Sequence, residues 1–453
     1  TESRIRWIPQ SHSTSMSNTQ TQADPIVARL QVISDLITAG SHAQAAAELN
    51  ATHKSYPNDP RPLLLGARSA EALGNTKGAI ELIQRAITLT PQWSVAVTEL
   101  AMLLSRDRQI EPAMEQAKKA VKLDPANTDV LFRVIDLAHR LNQHQQALEW
   151  LNRAIVLSPD MPNLRFLRAR DQYILGDYAQ AALSFSEYLV TNPEDTTALL
   201  GRAQAAIASG DLSQAEQDTA ALLLEEPWNT QYGFWADQAK GITPPSMPAD
   251  AVLALFDTGR TDIYDQTVKA TGYRLPQGAA EWIRKHYPTL ELNVLDLGCG
   301  TGLVASTLGR IQGAMVGVDL SMQMIEQAGQ HDVYDKFHTV NVLDALVATP
   351  DALYNVLTAC EVFPYVGDLT QVMPNAFRLI LPGGHFIFSC EAAPEADSDL
   401  VLKNGLRYQH KLSHVLSLCL AAGFEIQENQ ALTLFTENGQ AVQGFAICAY
   451  KPA

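Results

Sequence analysis

Six prolines fall at Pro57, Pro91, Pro125, Pro159, Pro193 and Pro227, each 34 residues after the one before. Alanines at Ala45, Ala79, Ala113, Ala147, Ala181 and Ala215 keep the same interval. A third series runs through Leu49, Ile83, Ala117, Leu151, Phe185 and Thr219. Three series in one register mean that the first half of the chain repeats a single supersecondary unit, each copy burying its apolar face against the next. The proline ends a helix, because it has no N–H to donate and collides with a continuing turn. The alanine lies twelve residues earlier, inside the second helix of the unit, where two helices pack closely. Gly40, Gly74, Gly176 and Gly210 share one position in four units, at the turn between the paired helices.

This period, with its small-residue and proline positions, resembles the tetratricopeptide repeat over about residues 26–228, although the aromatic residue often seen early in the first helix is mostly absent. The resemblance implies an all-α superhelix whose concave face binds an extended protein or peptide partner. Counting along each first helix puts Arg61, Arg68, Phe132, Arg140, Phe166 and Arg170 inward. The plainer reading of each is an ordinary solvated or core side chain. No repeated Lys/Asn pattern suited to clamping a peptide carboxylate is present, so the ligand stays open, and a homodimer held by the repeats is the other reading. Residues 241–248 leave the register and are rich in proline, which reads as a linker. The segment Tyr232 to Lys240 reads as a helix capping the array. The expected organisation is a disordered leader or added tail over 1–25, six repeats plus the capping helix over 26–240, a linker over 241–248, and a second domain over 249–453. Within the tail, residues 1–15 lack the apolar stretch of a secretory signal, and Met16 reads as the natural start.

Bulk properties narrow the partners. At 453 residues, with 46% apolar and 18% charged content, the chain needs at least two cores. No apolar run approaches the roughly 20 residues of a membrane helix. The net charge of -16 repels phosphate backbones, so neither nucleic acid nor membrane is expected. Cys299, Cys360, Cys390, Cys419 and Cys448 are odd in number and lack CxxC spacing. That argues for reduced thiols, a cytoplasmic setting and no metal.

From about residue 249 the pattern alternates helix and strand. Strands are expected at 292–297, 314–319, 336–341, 353–358 and 384–390, with helices at 302–310, 321–330, 368–379 and 411–422. A closing strand pair is expected at 424–434 and 443–450. Such alternation argues for a mostly parallel, doubly wound sheet that binds ligands at its carboxyl edge. The first strand runs into Val294-Leu-Asp-Leu-Gly-Cys-Gly-Thr-Gly302. Asp296 stands two residues before the first glycine, and Asp319 follows that glycine by twenty-one residues. Leu303 occupies the place where a dinucleotide fold wants its last glycine, which disfavours a nicotinamide enzyme.

This turn and Gly317-Val-Asp-Leu-Ser-Met-Gln-Met324 resemble the first two motifs of class I methyltransferases, which implies a Rossmann-like domain using S-adenosyl-L-methionine and releasing S-adenosyl-L-homocysteine. The chemistry agrees. That cofactor has no pyrophosphate, so the turn around Gly298, Cys299, Gly300 and Gly302 need only admit its methionine end. Asp296 complements the cationic end, and Asp319 accepts both ribose hydroxyls. By the resemblance, Leu320 and Met324 line the adenine pocket. Asn341 stands where the family usually has Asp, its side-chain oxygen and the Val342 N–H meeting the adenine edge. Asp344 is the lesser substitute. Glu361 and Tyr365, after the fourth strand, face the sulfonium. Tyr264 closes over the cofactor from a segment resembling the N-terminal lid of small-molecule methyltransferases.

Gly272-Tyr-Arg, Leu381-Pro-Gly-Gly384, Gly405-Leu-Arg-Tyr-Gln-His410 and Gln443-Gly-Phe together resemble a bacterial group of methyltransferases fused to tetratricopeptide repeats. A base is needed only for a protonated acceptor. The candidates are His410, Glu361 and Tyr408, with Arg407, Tyr365 and Phe363 contacting substrate. His385 reads as structural. No Asn-Pro-Pro-Tyr follows the fourth strand, which argues against the usual amide and base amino-group methylators. Three readings stay open: repeats that recruit a protein or peptide for methylation, a small-molecule enzyme whose repeats mediate homo-oligomerisation, and a non-catalytic scaffold.

Overall fold

The computed structural model describes residues 24–256, 265, 268, 271–403, 406–437 and 440–453. Residues 1–23 and Tyr264 lie outside them. The chain divides into two compact units, one ending at Asp177 and the other beginning at Tyr178.

The first unit holds α1 (Val27–Thr38), α2 (His42–Ser55), α3 (Arg61–Ala72), α4 (Thr76–Leu89), α5 (Ser94–Arg106), α6 (Ile110–Leu123), α7 (Thr128–Arg140), α8 (His144–Leu157) and α9 (Asn163–Ile174). The second continues the same register with α10 (Tyr178–Leu189), α11 (Thr196–Ser209), α12 (Leu212–Glu225) and α13 (Thr230–Ala239). Local chemistry sets the helix ends. The side chains of Asn75, Asn127, Asp195, Asp211 and Asn229 accept N–H bonds from the first turns that follow them. The periodic alanines all have zero exposure, so their size is what lets the paired helices approach.

The shared glycine position is left-handed in every repeat. Gly40, Gly74, Gly176 and Gly210 have φ between 75° and 88°, while Arg108 (61°) and Asn142 (54°) hold the same conformation in the two repeats without glycine. A side chain with a Cβ is strained there by about 1–2 kcal/mol, less for Asn. Arg108→Gly should therefore stabilise the array by about 0.5–1 kcal/mol in urea unfolding, with Asn142→Gly gaining less. A loss of stability at Arg108 would show that its side chain matters more than its backbone.

The remainder of the second unit runs α14 (Ala249–Phe256), α15 (Leu275–His286), β1 (Val294–Leu297), α16 (Leu303–Leu308), β2 (Met315–Asp319), α17 (Met322–Gly329), β3 (Lys336–Thr339), α18 (Val342–Ala348), β4 (Tyr354–Ala359), α19 (Phe363–Val366), α20 (Val372–Leu379), β5 (Ile380–Ala393), β6 (Leu400–Lys403), β7 (Arg407–Lys411), α21 (Leu412–Ala422), β8 (Glu425–Glu437) and β9 (Gln440–Tyr450). The sheet order is β3-β2-β1-β4-β5-β7-β6, and β9 pairs antiparallel with both β5 and β8. Strands β1 to β5 run parallel, so chain order reverses between β1 and β4 and opens a crevice at their carboxyl ends. No helix among the described residues is long and apolar enough to cross a membrane.

Two expectations need correcting. The β6–β7 hairpin was not anticipated, and residues 407–410 belong to a strand. Nor does the packing break at 241–248. Pro244 O accepts the Tyr408 hydroxyl (2.9 Å), Pro245 O accepts the Asp368 N–H (2.7 Å), and Met247 is buried with Phe234, Trp235, Ala251 and Tyr408. Leu200 and Ile207 of α11 and Leu400 and Leu402 of β6 close over that cluster. Burying side chains of this size contributes about 1.5–3 kcal/mol each, so the segment is a packed strap.

Candidate active site

A cavity of about 370 Å³ opens at the carboxyl ends of β1, β2 and β4. The turn after β1 forms its floor. Gly298, Gly300 and Gly302 all have positive φ. Only the first two line the cavity; Gly302 instead caps α16 and packs against Ala328 and Tyr334. Cys299 lines the floor, and its N–H donates to Val318 O (2.9 Å).

Asp296 points up from β1 and is only 1% exposed. Its Oδ2 accepts from the Tyr334 hydroxyl (2.7 Å) and its Oδ1 from the Thr358 hydroxyl (2.6 Å). Burial pushes its pKa up to about 6 against the two hydrogen bonds, and Asp319 adds to the rise. Among the described residues neither hydrogen-bond partner is a cation. The carboxylate therefore suits a ligand that brings positive charge.

Asp319, at the end of β2, accepts from the Gly300 N–H through Oδ2 (2.8 Å) and from the Ser321 N–H through Oδ1 (2.9 Å). A carboxylate at a strand end beside the cavity is the acceptor type that suits a pair of vicinal hydroxyls. Leu320, Met324 and Val342 give the adjoining wall an apolar face. Asn341 also lines it, but its Oδ1 caps α18 by accepting the Leu343 N–H (2.8 Å). That cap fixes the orientation of the Asn341 side chain and leaves the second lone pair of its oxygen for the expected adenine contact. Asp344 is exposed on α18 and does not line the cavity.

Glu361 follows β4 with φ 59°, a conformation that costs a non-glycine residue energy and turns the chain sharply at the cavity edge. Its N–H donates to the Ser389 hydroxyl (3.0 Å). Beyond it lie Tyr365, Val366, Arg407 and Phe435, with Val252, Leu253 and Phe256 of α14 opposite. The Phe256 and Tyr365 rings meet edge to face at 5.0 Å. Arg407 Nε lies 2.6 Å from Glu391 Oε1, and its guanidinium sits 5.3 Å from the centre of the Phe435 ring.

His410, Tyr408 and Phe363 stand elsewhere. Exposure alternates along β7, so Arg407 faces the cavity while Tyr408 and His410 face away. His410 Nε2 donates to Gly367 O (2.7 Å), and burial lowers its pKa to about 4, so the ring is neutral near pH 7 and out of reach of the cavity. Phe363 is fully buried between Phe386 and Phe388. His385 lies 2.6 Å from the Tyr287 hydroxyl and 3.1 Å from Gln427 Oε1, within the fold. The partners of Asp296, Tyr334 and Thr358, carried no sequence signal, because they reach it from 38 and 62 residues away.

The charge on Asp296 sets a pH dependence. Its ordinary pKa is 3.8, so between there and about 6 the folded chain holds a proton that the unfolded chain releases. Ionisation through that window costs the ligand-free fold stability, and a bound cation reverses the cost. S-Adenosylmethionine affinity, followed by calorimetry from about pH 5 to about pH 8, should fall as pH drops below about 6. Asp296→Asn should flatten the curve; a flat wild-type curve would remove Asp296 from the site.

Residues 248–429 match the family model described as a methyltransferase domain, and residues 33–92, 98–162 and 166–229 match that of the tetratricopeptide repeat. The chain thus carries tetratricopeptide repeats followed by a methyltransferase domain. It is similar to the ubiquinone biosynthesis O-methyltransferase of Albidiferax ferrireducens, 30% identical over 115 residues that make up 24% of this chain and 45% of that protein. The enzyme of the same name from Pectobacterium atrosepticum is 32% identical over 21% of this chain and 41% of its own. The chain thus spans less than half the length of these curated relatives. Among solved structures, magnesium protoporphyrin IX methyltransferase from Synechocystis PCC 6803 with bound SAH is 16% identical with a TM-score of 0.36, covering 45% of this chain and 99% of that one. YrrB, a TPR protein with an unusual peptide-binding site, is 16% identical with a TM-score of 0.36, covering 43% and 98%.

Proposed function

We propose that the chain methylates a small, largely apolar molecule bearing one anionic group, and that oxygen is the atom methylated. The observation that carries this reading is the outer half of the cavity. Val252, Leu253, Phe256, Val366 and Phe435 wall it, and among the described residues Glu361 and Arg407 are the charged groups that line the cavity besides Asp296 and Asp319. Arg407, braced by Glu391, holds the acceptor's anion. When bound, S-adenosylmethionine supplies a methyl group on a cationic sulfur. Asp296 and Asp319 fix its charged and ribose ends, and the Leu320–Met324 wall takes the adenine. Holding the acceptor in line supplies most of the acceleration. Glu361 receives the proton that a hydroxyl acceptor releases as its oxygen bonds to the methyl carbon. The name of the O-methyltransferase relatives supports the choice of oxygen. The walled cavity favours this reading over a peptide substrate delivered by the repeats, which then serve to bind a protein partner or a second copy.

The test incubates the full chain with methyl-labelled S-adenosylmethionine and a panel of phenols, hydroxy acids, neutral analogues and peptides. Label should enter acceptors carrying both a hydroxyl and an anion. Arg407→Ala should raise their KM by about 10- to 100-fold, the worth of one charged hydrogen bond. Glu361→Gln should lower kcat more than it changes KM. Label confined to peptides would favour recruitment, and no label on any acceptor would favour the scaffold reading.

A further inference from the structure

One position in the repeat register is taken in turn by Ser69, Leu103, Leu137, Asp171, Ala205 and Ala239, 34 residues apart. All six are buried. Elsewhere the position holds a small or aliphatic side chain; at Asp171 it holds a carboxylate that is 2% exposed. An aliphatic side chain packs there in neighbouring repeats, so packing does not require the charge, and a buried carboxylate is unfavourable unless something compensates it. Two imidazoles meet this one. His139 Nε2, in the last turn of α7, lies 2.8 Å from Asp171 Oδ2, and His144 Nδ1, at the start of α8, lies 2.9 Å from Oδ1. Three repeats earlier, His42, the counterpart of His144, meets the neutral Ser69 hydroxyl at 3.1 Å. The histidine contact is thus met without charge where no second imidazole joins it.

We propose that His139, His144 and Asp171 bind one divalent transition-metal ion, with zinc as the reference ion, and that the ion ties α7, α8 and α9 together. One ligand atom from each residue can be chosen so that all lie within 4.8 Å of one another. Ligands about 2.0–2.2 Å from a tetrahedral ion stand about 3.4 Å apart, so the two nitrogen–oxygen pairs, one to each carboxylate oxygen, need open by only about half an ångström to admit it. Two imidazoles and a carboxylate suit zinc, cobalt, nickel or copper, whereas calcium and magnesium prefer oxygen throughout. The imidazoles are 25% and 20% exposed, which leaves a side open for the ion to enter and for water to complete its shell. The cysteine pattern argued against a metal because it could speak only for thiolate ligands. This donor set lies in the first unit and contains none of the residues lining the cavity.

The test titrates zinc chloride into the full chain, freed of metal by chelator dialysis, and reads the heat of binding. One zinc per chain at micromolar or tighter affinity is expected, with no heat from calcium or magnesium. Asp171→Leu installs the residue found at 103 and 137. It should keep the helical circular dichroism while weakening zinc by about 100-fold or more, since even groups behind the ligands are worth 10- to 100-fold. His144→Gln gives a second, milder variant. Cobalt(II) should develop visible absorption bands with the wild type and not with either variant. No zinc binding by the wild type, or unchanged binding in both variants, would overturn the proposal.

Discussion

Replacing Asp319 with alanine should weaken S-adenosylhomocysteine binding by about 100-fold in calorimetry. In the proposed site the carboxylate accepts two ribose hydroxyls, and hydrogen bonds to a charged group contribute about 1.5–3 kcal/mol each. Losing even the weaker estimate for both gives about 3 kcal/mol, or roughly two decades in affinity. The same carboxylate accepts the Gly300 and Ser321 N–H groups, so alanine also removes two anchors of the turn. Asp319→Asn separates the effects. It keeps one acceptor oxygen and should fall between wild type and alanine, whereas a general loosening of the turn would bring it to the alanine value. If alanine binds within about threefold of the wild type, Asp319 does not hold the ribose.

Gly367→Ala should cost the second unit about 2–5 kcal/mol in denaturant unfolding. Gly367 ends α19 with φ 85°, where an L side chain is disfavoured by about 1–2 kcal/mol. A Cβ there would stand 2.4 Å from Pro245 O, a backbone atom of the strap, and 3.2 Å from the Tyr408 ring. Overpacking of that kind costs about 1–3 kcal/mol more. Gly383→Ala is the control: its φ is 81°, but nothing lies within 4 Å of the added carbon. It should show the conformational cost alone. If the two variants unfold alike, the strap is not pressed against Gly367. If Gly367→Ala is the weaker, the cavity wall on α14 loses its support, because the strap leads directly into that helix.

The candidate site was legible where it is local in sequence. Asp296, the glycines and Asp319 lie within one strand–turn–helix–strand passage, and the order of those elements forces them to one edge. The expectation that grouped Arg407, Tyr408 and His410 failed for a simple reason. Residues 407–411 form a strand, and alternate side chains of a strand point to opposite faces. Arg407 cannot share a face with Tyr408 and His410. The run Arg-Tyr-Gln-His-Lys shows little apolar alternation, so nothing in it announces a strand. Its partner β6 begins after a polar stretch that reads as loop.

By itself the sequence determined the repeat register, the buried alanines, the helix ends and the glycine turn after β1, because each follows from contacts a few residues apart or from a strict period. Tertiary structure alone decided that Tyr408 braces the strap at Pro244, that His410 holds Gly367 at the end of α19, and that Phe363 fills the sheet core. It also decided that Tyr334 and Thr358 hold Asp296, and that α14 lines the cavity. Those contacts join segments tens to more than a hundred residues apart, and which of them form depends on the twist and order of a nine-stranded sheet that no local pattern encodes.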